Sequence, residues 1–264
     1  MSDETTNKTS IIELPELPPS VDNAIKNLTD EPTKNAGKAL GDIFFLVFGG
    51  ISQAAEKRKM KYSHDLKLYE KELEESIEQI PEENKIEPSI QITAQALENS
   101  KYCISEPELR KMFVNLITSS MDSSRAFEVH PSFPEIIKQM SPLDAEIISD
   151  FKKYSTQPIA RFDLKFPNGS SRTLDDYLYF SIEGSHSYPY AASISSLERL
   201  GLLSVDFSNY LTDASRYQLF TDWSYYKHLK QKYEDAASGQ VVNIVKGICS
   251  LTPLGRTFIE ACVP

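Results

Sequence analysis

Cysteine, histidine and glycine are scarce in this 264-residue chain, and their scarcity argues against several classes of protein. The three cysteines, Cys103, Cys249 and Cys262, never stand in a Cys-x-x-Cys spacing, which favours reduced thiols in a cytosol over disulfides or structural zinc. The four histidines lie far apart and form no His-Glu-x-x-His motif, and the ten glycines form no phosphate-binding loop. We therefore expect a cytoplasmic protein that is not an enzyme, with no catalytic residue, metal, cofactor or small-molecule substrate.

Long apolar runs are missing as well. The most apolar stretch, residues 41–51, has eleven residues, whereas a membrane-spanning helix needs roughly 20. The first ten residues are polar, so we expect no secretory signal peptide. A buried core helix is favoured over residues 41–51, and the alternative is a helix at a membrane surface that inserts Phe44, Phe45 and Phe48.

The formal charge of −10 is concentrated in one half of the chain. Residues 1–150 contain 16 Lys and Arg against 27 Asp and Glu, whereas residues 151–264 contain 12 against 11. Affinity for nucleic acid comes largely from Lys and Arg that displace counterions. The first half would therefore repel a phosphate backbone, and the second half would bind one only through a local patch.

Three segments differ in texture along the chain. Residues 1–35 are rich in Pro, Thr, Asn and acidic residues, which predicts a flexible acidic tail. Residues 36–152 carry apolar residues at helical spacing, which predicts a helical domain. One stripe, which stops before Pro81, fits a core helix better than a self-associating coiled coil; its members are Tyr62, Leu66, Tyr69, Leu73, Ile77 and Ile80.

Three serines in the helical segment stand where helices are expected to begin. Ser105, Ser132 and Ser141 are each followed by an acid three residues on and by a proline between them. This pattern is typical of a capping box, in which the serine and the acid each bind a backbone N–H of the first turn. We predict that all three serines cap helices.

Residues 153–264 predict a winged-helix-like domain. A helix over 190–200 stops at Gly201, a strand follows at Leu202–Phe207, a second strand spans Val241–Ser250, and Thr252 caps a terminal helix over 253–262. Residues 208–240 form an enlarged wing in this interpretation. Sequences of the form Leu-Glu-Arg-Leu-Gly-Leu-Leu followed by Leu-Thr-Pro-Leu-Gly-Arg are familiar from bacterial winged-helix proteins.

An interaction surface is predicted in this domain at Arg199, Lys227, Lys230 and Lys232. The helix over 190–200 carries one cation and one anion, which makes it a poor reader of phosphates or bases. Protein binding or self-association is therefore favoured over DNA binding. Asp175 and Asp176 are adjacent and point apart, so a solvated acid pair is favoured over a metal site.

The segment Val129–Ala145 resembles the signature of the bacterial Abi-alpha family, whose members are linked by name to abortive phage infection. Residues 35–41 and 108–116 add to the resemblance, which spans roughly residues 30–150, with a continuation to the C-terminus as the alternative. It implies a phage-defence role and assigns no catalytic residue. Within the segment, His130, Pro131, Ser132, Phe133 and Glu135 also have a structural explanation as an extended turn that leads into a capped helix; a ligand-binding or catalytic role for His130 is the alternative.

These observations predict a mainly α fold with a minor α+β part, made of the helical domain and the winged-helix-like domain. The predicted function is phage defence through macromolecular interaction, most readily with a protein partner or a second copy. A winged-helix DNA-binding regulator and a membrane-active toxin that uses residues 41–51 are the alternatives.

Overall fold

The computed structural model describes residues 36–48, 56–181, 190–234 and 237–264. The predicted tail, residues 1–35, the last three residues of the predicted membrane segment, 49–51, and the wing residues 235–236 lie outside this part. The described helices are α1 (Ala36–Phe48), α2 (Glu56–Glu78), α3 (Ile90–Ser100), α4 (Pro107–Ser120), α5 (Phe133–Gln139), α6 (Pro142–Lys153), α7 (Ala191–Arg199), α8 (Gln218–Asp222), α9 (Ser224–Tyr233) and α10 (Pro253–Cys262). The described strands are β1 (Thr156–Lys165), β2 (Ser171–Leu178), β3 (Leu203–Asp206) and β4 (Val241–Leu251). The prediction of a mainly α chain with a minor β part is confirmed.

Helix α4 is the centre of the helical part. Ten of its fourteen residues are buried, and α2, α3, α5, α6 and α10 all pack against it. The apolar stripe of α2 faces inward, with Tyr69, Leu73 and Ile77 buried, and α2 ends before Pro81 as predicted. These residues of the stripe thus pack against α4 of the same chain, as expected for a core helix.

The three predicted capping boxes have different outcomes. Ser141 accepts from the Asp144 N–H and Asp144 accepts from the Ser141 N–H, so this capping box is confirmed. Ser105 lies one residue outside the N-cap of α4 and donates to Asp65 on α2. Ser132 occupies the N-cap of α5 in helical geometry without binding a backbone N–H of the helix. The capping boxes at Ser105 and Ser132 were therefore wrong, because each hydroxyl has another partner.

In the described part of the chain, four antiparallel strands form one sheet in the order β2-β1-β4-β3. The long pairing of β1 with β4 runs from Thr156 opposite Ser250 to Lys165 opposite Val241. Successive side chains point to opposite faces. One face joins the large core of the helical part, and the other packs on α8 and α9 in a second core that includes Phe162, Tyr226 and Leu229.

Helix α7 ends as the sequence predicts. Gly201 has a φ of +76°, a left-handed conformation that glycine adopts at little cost. The Gly201 N–H donates to the Glu198 carbonyl and the Leu202 N–H to the Leu197 carbonyl, which are the two bonds of a Schellman motif. The chain therefore turns sharply from α7 into β3.

Helix α10 is held at both ends. At its start, Thr252 Oγ1 accepts from the Gly255 N–H and donates to the Gly201 carbonyl, as its predicted capping role requires. At its end, side chains of the helical part donate to carbonyls of the last turn and of the residues after it; these donors are Asn115, Ser119, Arg125 and Lys152. Helix α10 thus ties the sheet to α4 and α6.

The predicted order of helix, strand, excursion, strand and helix is present after residue 190, and the described part of the excursion contains helices α8 and α9. The winged-helix assignment of this order and the domain boundary at residue 153 both stay predictions. Residues on both sides of that boundary share the large core, for example Phe133 and Phe258, whose rings meet edge to face with centroids 5.2 Å apart. The two parts therefore pack as one body along α4, α6 and α10.

Candidate interaction surface

The signature segment Val129–Ala145 has a buried side and an exposed side. Phe133, Ile136 and Ile137 are buried in the large core, so this half of the segment holds α5 in place. Between His130 and the end of α5, the exposed residues are His130, Pro131, Glu135, Lys138 and Gln139. Glu135, Lys138 and Gln139 are three and four residues apart and so share one side of α5, and His130 and Pro131 lie in the turn that precedes it. We call these five residues the signature face.

His130 closes a local turn at the start of this face. The Ser132 N–H donates to His130 Nδ1 at 3.2 Å, and the Ser132 hydroxyl lies 2.8 Å from the same nitrogen. The imidazole ring also lies against Phe133, with ring centroids 5.8 Å apart. These contacts place His130 Nδ1 within the local turn that leads into α5.

Glu135 is the hub of a hydrogen-bond network on the signature face. Its carboxylate accepts from Lys138 Nζ at 3.2 Å, from Gln139 Nε2 at 3.3 Å and from Asn99 Nδ2 of α3 at 3.4 Å. Gln139 Oε1 in turn accepts from Arg199 Nη1 of α7 at 3.1 Å. The signature face is thereby connected to α3 and α7, and the Arg199 guanidinium lies at its edge.

Large apolar side chains are exposed close to the signature face. Phe127, three residues before His130, is 77% exposed, and Tyr102, three residues after Asn99, is 83% exposed. The short 3-10 turn that carries Phe127, Ala126–Glu128, is anchored by Arg125, which donates to the Glu260 carbonyl of α10. Phe127 therefore projects from an anchored part of the backbone.

The other predicted interaction residues lie elsewhere. Lys227, Lys230 and Lys232 are on α9, which packs on the second core, whereas Arg199 is on α7, which packs on the large core across the sheet. Lys230 is paired with Glu234 at 3.5 Å. The structure thus does not bring the three lysines together with Arg199.

The predicted membrane residues do not share one environment. Phe48 is buried and Phe44 is partly buried, and both rings lie about 6 Å from the ring of Tyr69 on α2, at 6.2 and 6.0 Å. Phe45 is 75% exposed. None of the described helices combines the length and the apolar composition that crossing a lipid bilayer demands.

The structure also places the groups that most often carry chemistry. Burial raises the pKa of the Cys249 thiol to about 12 and of the Cys103 thiol to about 11, so both stay protonated and unreactive near neutral pH. Asp175 accepts from the Tyr225 hydroxyl and Asp176 from the Tyr177 N–H, in separate places. No group of three or more metal-binding side chains occurs within the described ranges.

Several residues of this region were not predicted from the sequence, among them Phe127 and Gln139. Phe127 stands out as an aromatic residue in a polar stretch, Ser123–Glu128, which is a usable signal of an exposed contact. Gln139 gives no such signal, because its role as the link to Arg199 depends on a contact between residues 60 positions apart.

A search of curated proteins and a search of solved structures find no match to this chain. The family model described as abortive infection alpha matches residues 61–262, which is more than half of the chain and covers the signature segment, the sheet and α10. The chain therefore belongs to the abortive infection alpha family, and this membership implies a role in defence against phage.

Proposed function

We propose that this protein acts in abortive infection through contact between its signature face and a partner protein, and not through a reaction of its own. One observation carries the proposal: Phe127 is 77% exposed on an anchored turn beside His130. Aromatic residues are enriched at the centres of protein interfaces, where burying one ring contributes strongly to binding. The polar network around Glu135 would form the rim of such an interface.

The charge distribution supports a protein partner over DNA. The outward positions of α7 are Ala192, Ser195 and Arg199, so one cation faces solvent where a DNA-reading helix would present several donors. The signature face itself carries one anion, Glu135, and one cation, Lys138, rather than the row of cations that a phosphate backbone needs. In this proposal the winged-helix-like part is a protein-binding module.

Packing of α1 weighs against the membrane alternative. Phe44 and Phe48 contact Tyr69 of α2. Inserting these two rings into lipid would remove their packing against Tyr69. Of the three phenylalanines predicted to insert, Phe45 is the exposed one, and burying one phenylalanine contributes only about 1.5–3 kcal/mol. A single ring gives weak and reversible membrane binding.

Phage challenge with matched variants tests the proposal. In cells that carry the gene, Phe127→Ser should reduce protection, measured as efficiency of plating, by at least tenfold, since it removes the exposed ring without opening a core cavity. Phe45→Ser is the control, because Phe45 is almost equally exposed on another helix. Full protection by Phe127→Ser together with loss by Phe45→Ser would reject the interface and favour the membrane alternative. Circular dichroism checks that both variants fold.

A second variant separates contact from catalysis at His130. In His130→Asn, the side-chain oxygen can still accept from the Ser132 N–H, but the amide cannot transfer a proton near neutral pH. We expect protection to persist. Loss of protection in a variant that folds normally would support a catalytic role for the imidazole.

A further inference from the structure

Helix α7 is joined to the signature segment at two points on one side of the helix. Ser196 Oγ donates to Asp144 Oδ2 at 3.2 Å, and Arg199 Nη1 donates to Gln139 Oε1 at 3.1 Å. Ser196 and Arg199 are three residues apart and so lie above each other on the helix. Gln139 ends α5 and Asp144 is in the first turn of α6. The junction between α5 and α6 therefore fixes both the position and the rotation of α7.

Asp144 is the buried member of this junction. It is 4% exposed, and its Oδ2 accepts from the Ser141 N–H at 2.9 Å as well as from Ser196. Burying a carboxylate costs free energy unless hydrogen-bond donors surround it. The Ser196 hydroxyl is one of the donors that lower this cost for Asp144. The capping box of α6 thus extends across to α7.

The charge of Arg199 has no counterion in the described part of the chain. Its side chain is exposed and is held by the neutral amide of Gln139. The neighbouring cation Lys138 differs, since it is paired with Glu135 at 3.2 Å. Arg199 is therefore a positioned guanidinium whose charge is available to an incoming carboxylate, with which it forms strong and directional bonds.

The small side chains of Ala192 and Ser195 are exposed on the same helix as Arg199. They leave room for another chain to approach the helix backbone, and they present no charge that would repel it. A phosphate backbone needs several cations in a row, whereas an acidic protein segment needs one well-placed guanidinium and close packing beside it. The surface suits the second kind of partner.

We infer that α5 and α7 form one docking surface for an acidic segment of a partner protein, in which Arg199 recognises a carboxylate and the Asp144–Ser196 hydrogen bond positions Arg199. This inference rests on the proposed function, because it names the partner chemistry of the signature face.

The test uses the full chain and a phage that the wild-type protein restricts. Arg199→Lys keeps the charge but loses the planar fork of donors and should keep part of the protection, whereas Arg199→Gln should lower the protection at least tenfold. Ser196→Ala removes the bond to Asp144 and should lower protection about as much. Two controls should protect normally: Ser149→Ala, which removes a hydroxyl bonded within α6, and Lys111→Gln, which removes an exposed cation on α4.

Hydrogen exchange of the α7 amides gives a readout that does not depend on defence. Ser196→Ala should speed exchange over residues 193–199 at least threefold and leave exchange in α4 unchanged; unchanged exchange in α7 would overturn the positioning role.

Normal protection by Arg199→Gln in the phage assay would overturn the charge role, and a loss by Phe127→Ser in the same assay would leave the proposed function standing. Gel shift of a labelled DNA duplex by the wild type, abolished in Arg199→Gln, would overturn the acidic protein partner in favour of nucleic acid.

Discussion

A single guanidinium, that of Arg110, connects three parts of the helical region. Its Nε and Nη2 donate to the two carboxylate oxygens of Glu72 at 2.8 and 3.0 Å, and its Nη1 donates to the Ile104 carbonyl at 2.7 Å. The Arg110 side chain is 5% exposed and that of Glu72 is 21% exposed. The pair thus ties α2 to α4 and to the turn before α4, and the carboxylate geometry matches the fork of an arginine.

Arg110→Ala should destabilise the protein by about 3 kcal/mol, because it leaves Glu72 and the Ile104 carbonyl without a donor in a largely buried place. Urea denaturation followed by far-ultraviolet circular dichroism measures the change in the free energy of unfolding. Lys71→Ala is the comparison, since Lys71 and Glu75 are 68% and 58% exposed and their pair should contribute less than about 1 kcal/mol. Equal losses in the two variants would contradict this account.

At the scale of helices and strands, the sequence predicted helix ends correctly where the capping residue has its hydrogen-bond partner in the same turn of the chain. The turn at Gly201 and the cap at Thr252 are both local, and both are confirmed. Ser105 has the same capping-box pattern as Ser141 but does not cap a helix, because its hydroxyl donates to Asp65, 40 residues away. The pairing of β1 with β4 and the Gln139–Arg199 contact likewise depend on distant residues. Periodicity and caps therefore predict elements, while their partners appear only in the folded chain.

The difference between Ser141 and Ser132 can be measured. Ser141→Ala should cost about 1 kcal/mol, since the Asp144 N–H loses its acceptor in the capping box of α6. Ser132→Ala should cost less than about 0.5 kcal/mol, because its hydroxyl makes no capping bond to the helix. Thermal melts of both variants, followed by circular dichroism, provide the comparison. A larger loss at Ser132 would show that the hydroxyl contact with His130 stabilises the protein more than the cap does.

Across the whole molecule, the sheet and the helical part are coupled through α10. Its buried residues Phe258, Ile259 and Cys262 fill the large core beside α4, and four side chains from the helical part donate to carbonyls near its end. Separating the two parts would expose these apolar residues and leave the carbonyls and donors to water. Separation of the two parts is therefore strongly unfavourable.

This coupling predicts that the whole chain unfolds in one transition. Trp223 is the single tryptophan, and it packs on the second core, on the far face of the sheet from most of the helices. Tryptophan fluorescence therefore reports on the sheet layer, whereas circular dichroism at 222 nm is dominated by the helical part. In urea the two signals should give the same midpoint within error, as two-state unfolding requires.

An earlier fluorescence midpoint would mean that the α8–α9 layer opens first. Phe258→Ala, which weakens the contact with Phe133, should then leave that early step unchanged. If the chain is one cooperative unit, Phe258→Ala should instead lower both midpoints together. The free energy of unfolding should then fall by the roughly 3–5 kcal/mol expected for removing a buried phenylalanine side chain.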